Sequence, residues 1–210
     1  AKLTKGRLPQ FLPRSDEEEE DAELNCAEGG AIMKVLMDAA GPSGIVAEDL
    51  GTVPPYVRPL LHKLGIAGFA IPIFERVEET REFKEKEELP VLSLATYGTH
   101  DHQPIASFYK GLVDFWHGPK GDDGWLEMQR LMRFLGLDEE KPPLKFDEKL
   151  HVVFMDVLLE THCWVAMFMI TDLLGTSQRF NEPGLSGDLN WSQRLDRPIT
   201  DYEKDPQYAG

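Results

Sequence analysis

Acidic residues follow three of the apolar stretches in this sequence that are typical of β-strands. The first stretch is followed by Glu48 and Asp49, and two later ones are followed by Asp101 and Asp172. Because the C-terminal ends of parallel strands share one edge, we expect these acids to lie together. Two cooperating carboxylates, one a proton donor and one an anion, are the groups that cleave glycosidic bonds. The alternative for Glu48 or Asp49 is structural, since either could cap the next helix or pair with an arginine.

The residues beside these acids suit a sugar ligand. His100 stands directly before one of the acids, and Gly98 would let the backbone approach a ligand closely. Aromatic rings can stack on the faces of sugars, although they more often pack in a core. The candidates for stacking are Tyr97, Trp116 and Trp191.

The elements that must position these groups alternate along the chain. Apolar runs predict four strands, at Ile45–Ala47, Ala67–Phe74, Val91–Thr96 and Trp164–Ile170. Amphipathic patterns predict helices at Pro54–Leu64, Pro104–Trp116, Trp125–Leu135 and Asp147–Leu159. Nearly all-apolar strands alternating with helices indicate a parallel sheet covered on both faces. The sequence therefore predicts an α/β fold with half the strands of a (β/α)8 barrel.

We expect one domain spanning 1–210. Residues 1–43 would form a lead-in and an acidic helix interrupted at Gly29-Gly30, 44–175 the strand–helix units, and 176–210 a closing tail. The sequence begins at Ala1 rather than at a methionine, and we interpret this as a sign of a processed, renumbered or truncated product.

The composition excludes several kinds of partner. With 22 basic and 37 acidic residues the formal net charge is −15, which argues against nucleic acid and against anionic membrane surfaces. Cys26 and Cys163 are far apart and lack metal-ligand spacing, so we expect free thiols, a reducing cytoplasm, and neither a metal nor another cofactor. No apolar run reaches membrane-spanning length.

Several ordered motifs resemble the amylomaltase family, which comprises the 4-α-glucanotransferases or disproportionating enzymes. The motifs are Ala47–Val57, Leu64–Gly68, Tyr97–Asp101, Thr171–Gly175, Arg179–Gly184 and Asn190-Trp191. The resemblance implies the C-terminal half of a catalytic (β/α)8 barrel that acts on α-1,4-glucans with retention. It also implies that Glu48 is the general acid/base and that Asp101 stabilises the transition state.

The resemblance also makes further residues candidates for binding substrate. They are His100, Asp49, Gly98, Asn181, Pro183 and Gly184. Glu48 must be protonated before it can donate to a leaving oxygen, and we expect burial or neighbouring anions to favour that form.

The sequence departs from the family pattern in three places. His102 stands where the family has Asn, Thr171 stands where it usually has Gln, and extra residues precede Asn190-Trp191. The family's nucleophile, an Asp in an Arg-x-Asp-His context, has no counterpart between Ala1 and Gly44. We therefore expect this chain to need an N-terminal half or self-association.

Three functions remain open at this point. The chain could be part of a glucanotransferase, a glucan-binding half-barrel without chemistry of its own, or a hydrolase acting on the same α-glucans. Transfer and hydrolysis differ only in whether a sugar hydroxyl or water takes the glycosyl intermediate, and this depends on how well the site excludes water.

Overall fold

The computed structural model describes residues 14–42, 44–138, 140–185, 187–188 and 190–205. Their helices are α1 Glu19–Ala40, α2 Val57–Leu64, α3 Ile105–Trp116, α4 Gly121–Phe134, α5 Glu148–Leu159, α6 Ile170–Leu173 and α7 Ile199–Tyr202. Their strands are β1 Gly68–Ala70, β2 Ser93–Ala95 and β3 Val165–Ala166, and a 3-10 turn covers Lys86–Glu88. The chain divides into two compact units, Ala1–Phe69 and Ala70–Gly210, each described below by itself. A single domain over 1–210 stays a prediction.

Helix α1 of the first unit is continuous through the pair of glycines at which we expected an interruption. Glycine in a helix costs about 1 kcal/mol relative to alanine. Here Gly30 has a packing reason, because a Cβ on it would lie 3.4 Å from Cδ1 of Leu60. The small residue thus lets α2 approach α1 closely.

Helix α2 ends as its sequence predicts, while the first predicted strand is reduced to one pair of residues. Gly65 follows α2 with φ 72°, and its N–H bonds the carbonyls of His62 and Leu61. Of the predicted strand Ile45–Ala47, only Val46 pairs, in a single parallel bridge with Ala67.

The sheet has the order β1-β2-β3. Strands β2 and β3 are parallel, with Leu94 opposite Val165, and Thr96 N–H donates to the carbonyl of Ala70 at 3.0 Å. All three strands are shorter than predicted. After β1 the chain turns at Pro72, where Phe74 N–H bonds the carbonyl of Ile71. The described residues thus form an α/β structure with parallel strands.

The long helices of the second unit lie close to their predicted positions. Asp147 caps α5 by accepting a 2.9 Å hydrogen bond from Leu150 N–H. Helix α4 begins earlier than predicted, at Gly121, and crosses the end of α3 at Gly124, where a Cβ would lie 2.5 Å from the backbone nitrogen of Trp116. Only glycine allows this approach.

Two of the three candidate stacking aromatics belong to the packing of the second unit. Tyr97 is 2% exposed, its hydroxyl donates to the Phe154 carbonyl at 2.6 Å, and the two rings meet edge to face. Burial raises the pKa of Tyr97 well above its usual value. Trp116 packs on Trp125 with ring centroids 4.7 Å apart. Both rings therefore stabilise the fold.

Within the described part of the chain, no helix combines the length and apolar character needed to cross a membrane.

Candidate active site

Glu48 is an exposed residue at the end of the bridged segment in the first unit. The backbone there is fixed by the bond from Ala47 N–H to the carbonyl of Ala67, 2.8 Å long. Asp49 N–H donates to the Ala47 carbonyl at 3.0 Å, which makes a tight turn centred on Glu48, and Glu48 is exposed while Asp49 is buried. Of the two causes that we expected to favour protonated Glu48, burial is not found among the described residues, and neighbouring anions stay a prediction.

Asp49 is held by protein groups of the first unit. Its side chain is buried, with Oδ1 accepting from Phe69 N–H at 2.7 Å and Oδ2 accepting from Arg58 Nε at 3.0 Å. A Cβ on Gly68 would lie 2.8 Å from these oxygens, so only glycine fits there. The structural alternative, pairing with an arginine, is confirmed for Asp49, and its contact with substrate stays a prediction.

The loop after β2 carries the second set of predicted residues, and hydrogen bonds between its own residues close the loop. Thr99 N–H donates to Nδ1 of His102 at 3.0 Å, and His102 N–H donates back to the Thr99 carbonyl at 2.9 Å. A Cβ on Gly98 would lie 2.8 Å from Cβ of His102. Gly98 thus permits a close approach to His102, and its contact with a ligand stays a prediction.

This closed loop exposes His100 and Asp101, and it meets a distant segment of the second unit there. Asn181 Nδ2 donates to Asp101 Oδ1 at 2.7 Å, and His100 Nε2 lies 3.5 Å from the same oxygen. Arg179 Nη2 donates to the main-chain carbonyl of Asp101 at 2.8 Å. Three of the predicted site residues are therefore brought together.

Pro183 and Gly184 form an exposed turn beside this cluster. Gly184 has φ 77° after Pro183, and Leu185 N–H bonds the Glu182 carbonyl at 3.3 Å, as in a type II turn. The Asn190 side chain accepts from Glu182 N–H and donates to the Glu182 and Leu185 carbonyls. The turn is thus fixed from both sides, and its contact with substrate stays a prediction.

Trp191 is the third candidate stacking aromatic, and it lies beside His100. Their ring centroids are 5.5 Å apart, and 57% of Trp191 is exposed. Its backbone has φ 62°, a strained value for a residue other than glycine, and its N–H bonds the carbonyl of Phe180 at 2.7 Å. Strain of this kind persists where neighbouring structure enforces it, often at ligand sites.

Three small cavities surround this cluster, and Arg179 lines all of them. One of about 240 Å³ includes Asp101 and Phe108, one of about 190 Å³ includes His100 and Trp191, and one of about 340 Å³ borders the Asn181–Asn190 segment. The arrangement offers a carboxylate, an imidazole and an indole to a polar ligand.

Asp172 does not lie at a strand tip, where we expected it. It sits in α6, is 1% exposed, and accepts the Ile105 N–H bond on Oδ1 at 2.7 Å. Burial raises its pKa to about 6, opposed by the bond from Ile105 and by nearby His151. It therefore caps the start of α3 from the interior of the second unit.

Sequence reasoning missed Arg179 as a site residue. The signal was available, because Arg179 belongs to the same motif as Asn181. In the part of the chain that the structure describes, no group of three or more His, Cys, Asp or Glu could hold a metal ion.

The described residues form an α/β fold in which the predicted acids Glu48 and Asp101 are exposed, and comparison with known proteins gives the family. The family model described as 4-alpha-glucanotransferase matches residues 11–200. The chain belongs to this family.

Curated relatives carry the same description. The 4-alpha-glucanotransferase of Chlamydia caviae is 30% identical over 159 residues, which cover 71% of this chain and 28% of that protein. The one of Haemophilus influenzae is 27% identical over 175 residues, covering 74% of this chain and 25% of that protein. The chain thus spans only about a quarter to a third of the length of the relatives it matches.

Solved amylomaltase structures share the fold. The enzyme from Corynebacterium glutamicum superimposes with a TM-score of 0.62 at 21% identity, over 79% of this chain and 28% of that one. The amylomaltase from Streptococcus agalactiae in complex with acarbose gives a TM-score of 0.55 at 21% identity, over 77% of this chain and 30% of that one.

Proposed function

We propose that this chain supplies the acid/base and the transition-state-stabilising carboxylate of a 4-α-glucanotransferase, which transfers α-1,4-glucan segments to an acceptor sugar with retention. The observation that carries the proposal is Asp101, exposed beside His100 and held through Oδ1 by Asn181. Membership of the 4-alpha-glucanotransferase family supports it.

The proposed chemistry assigns one role to each acid. Glu48 donates a proton to the leaving glycosidic oxygen and later removes one from the acceptor hydroxyl. The Asp101 carboxylate stabilises the positive charge that develops on the sugar ring. In the second unit His100 and Trp191 hold the sugar, His100 by hydrogen bonding and Trp191 by stacking, while Gly98, Asn181, Pro183 and Gly184 shape the surroundings of the ligand. Asp49 in the first unit is proposed to bind substrate.

A retaining mechanism also needs a nucleophile about 5–5.5 Å from the acid/base. The sequence offers no candidate in the family's context, and the chain covers only part of each relative. We therefore propose that the nucleophile comes from polypeptide outside these 210 residues, either an N-terminal half or a partner chain. In the same account the described strands and helices are the C-terminal half of a (β/α)8 barrel, with the likeness to amylomaltase structures as support.

We also propose a cytoplasmic location. The support is that Cys26 and Cys163 are both free thiols.

The experiment is a product analysis with maltotriose and the natural polypeptide, including any segment that flanks these 210 residues. Transfer yields glucose together with maltooligosaccharides longer than the substrate, whereas hydrolysis yields only shorter sugars. A protein that binds maltotriose and leaves it unchanged would be a non-catalytic binder. The isolated 210-residue chain should give no longer products, because it lacks the nucleophile.

A further inference from the structure

The guanidinium of Arg179 joins two segments that carry the predicted site residues of the second unit. Its Nε donates to the main-chain carbonyl of Asn181 at 2.8 Å, and its Nη2 donates to the main-chain carbonyl of Asp101 at 2.8 Å. A single rigid group therefore holds the backbone at both residues. The side-chain bond from Asn181 Nδ2 to Asp101 Oδ1, 2.7 Å long, lies between these two fixed points.

We propose that Arg179 is a positioning residue that sets the place and orientation of the Asp101 carboxylate through Asn181. The inference rests on the proposed function in one respect only, namely that Asp101 acts in glycosyl transfer. Its geometric part concerns how Asp101 and Asn181 are held, and that part is open to measurement without any substrate.

The residue after Arg179 extends the same arrangement. The Phe180 carbonyl accepts the 2.7 Å bond from Trp191 N–H, and the Trp191 ring lies beside His100. The segment of three consecutive residues, Arg179, Phe180 and Asn181, thus fixes the position of the loop after β2 relative to the exposed indole. A displacement of Arg179 would change the position of Asp101 first.

The geometry requires an arginine. The planar guanidinium presents donors in a fixed fork, and here two of them reach carbonyls on different segments. A lysine ammonium is a compact point charge with three rotatable donors on a flexible stem, so it does not hold two donors in the fixed directions of the guanidinium fork. The conservative change Arg179→Lys keeps the charge and removes the fork, so it isolates the feature on which the inference depends.

The first test is kinetic, with the natural polypeptide and maltotriose. We expect Arg179→Lys to lower kcat by roughly 100-fold, because small misplacements of a catalytic group cost about that much. KM should change little, since the loss falls on the transition state. Millimolar guanidinium should restore part of the kcat of Arg179→Ala by filling the vacated site. The matched control is Arg133→Lys on α4, whose side chain is paired with Glu82, and its kcat should equal that of the wild type.

The second test is spectroscopic, with the natural polypeptide labelled with ¹⁵N. The Asn181 side-chain amide resonances, assigned by their loss in Asn181→Ala, should shift in Asp101→Ala and in Arg179→Ala, and stay in place in Arg133→Lys. Unchanged Asn181 resonances in Arg179→Ala would overturn the inference whatever the activity is. A wild-type kcat in Arg179→Lys would overturn the inference as well. If the wild-type protein had no transferase activity, the proposed function would be refuted, and the resonance test would still decide the role of Arg179.

Discussion

Asn181 donates its side-chain amide to Oδ1 of Asp101 at 2.7 Å, although 80 residues separate them in the chain. The bond joins the loop that follows β2 to the segment that follows α6. A carboxylate held in this way needs no reorientation when positive charge develops nearby, which is the condition for electrostatic stabilisation of a transition state.

Asp101→Asn should therefore lower the rate of transfer while keeping the geometry. The new amide oxygen still accepts from Asn181, but the negative charge is gone. We expect kcat on maltotriose to fall by about 10²–10³ with little change in KM, because the charge acts mainly in the transition state. Steady-state kinetics of the natural polypeptide measure this. Asp114→Asn on α3, an exposed acid paired with Lys110, is the control, and an equal effect of the two changes would remove Asp101 from the mechanism.

Trp191→Ala should weaken the binding of acarbose, a sugar-like inhibitor. Stacking of an indole is worth about 1 kcal/mol beyond the area that it buries, so the Kd should rise by roughly fivefold. His100→Ala should act in the same direction. Trp164 offers a matched control, because it is also 57% exposed. Titration calorimetry that found the same loss for Trp164→Ala would show that the effect is not specific to the site.

The sequence predicted helices better than strands. Helices α3, α4 and α5 follow apolar residues at regular helical spacing, which is a local signal. Each strand contains only a few residues, because the ends of a strand depend on pairing partners that are distant in the chain. Pro72 and the early start of α6 shorten two of the apolar runs, and periodicity alone does not reveal this.

In the candidate site, too, local sequence motifs were informative, whereas contacts between residues distant in the chain could not be predicted. The motifs predicted Asp101, His100 and Asn181 as site residues, and the three do lie together, while their chemical roles stay predictions. Apolar patterning did not distinguish the buried acids from the exposed ones. Asp172 and Asp49 are anchored by the backbone N–H groups of Ile105 and Phe69, contacts that only the fold creates.

Asp49→Ala should destabilise the first unit. The change removes a buried acceptor and leaves Phe69 N–H without its partner, which costs about 1–3 kcal/mol in the free energy of unfolding. Arg58→Ala removes the other partner, whose side chain is 56% exposed, and should cost less than about 1 kcal/mol. Urea denaturation of both variants measures the difference. A larger loss for Arg58→Ala would contradict the anchoring role of the Asp49 bond to Phe69.

Asp172 should make the stability of the second unit depend on pH between about 4 and 6. The folded pKa is raised to about 6, above the value near 3.9 in unfolded chains. The folded state then binds more protons in this range, so the free energy of unfolding falls as the pH rises. The contribution of Asp172 is greatest below pH 4 and is lost above pH 6.

Asp172→Asn isolates this contribution, because its amide oxygen still accepts from Ile105 N–H. At pH 7 the variant should be more stable than the wild type by an amount on the order of 2–3 kcal/mol. The difference should shrink toward zero as the pH falls to 4. Denaturant unfolding of both proteins across this range measures it, and a difference that grew toward low pH would show that the sign is wrong.

Glu48 is the proposed proton donor in glycosyl transfer, and the measurement that tests this role most directly is kcat on maltotriose for Glu48→Gln in the natural polypeptide. Glu48 is exposed, so the change should leave the unfolding midpoint near that of the wild type. We expect kcat to fall by about 10²–10⁴, and we expect Glu87→Gln, a change at another exposed glutamate, to leave kcat unaffected. A kcat for Glu48→Gln within a few-fold of the wild type would contradict this role.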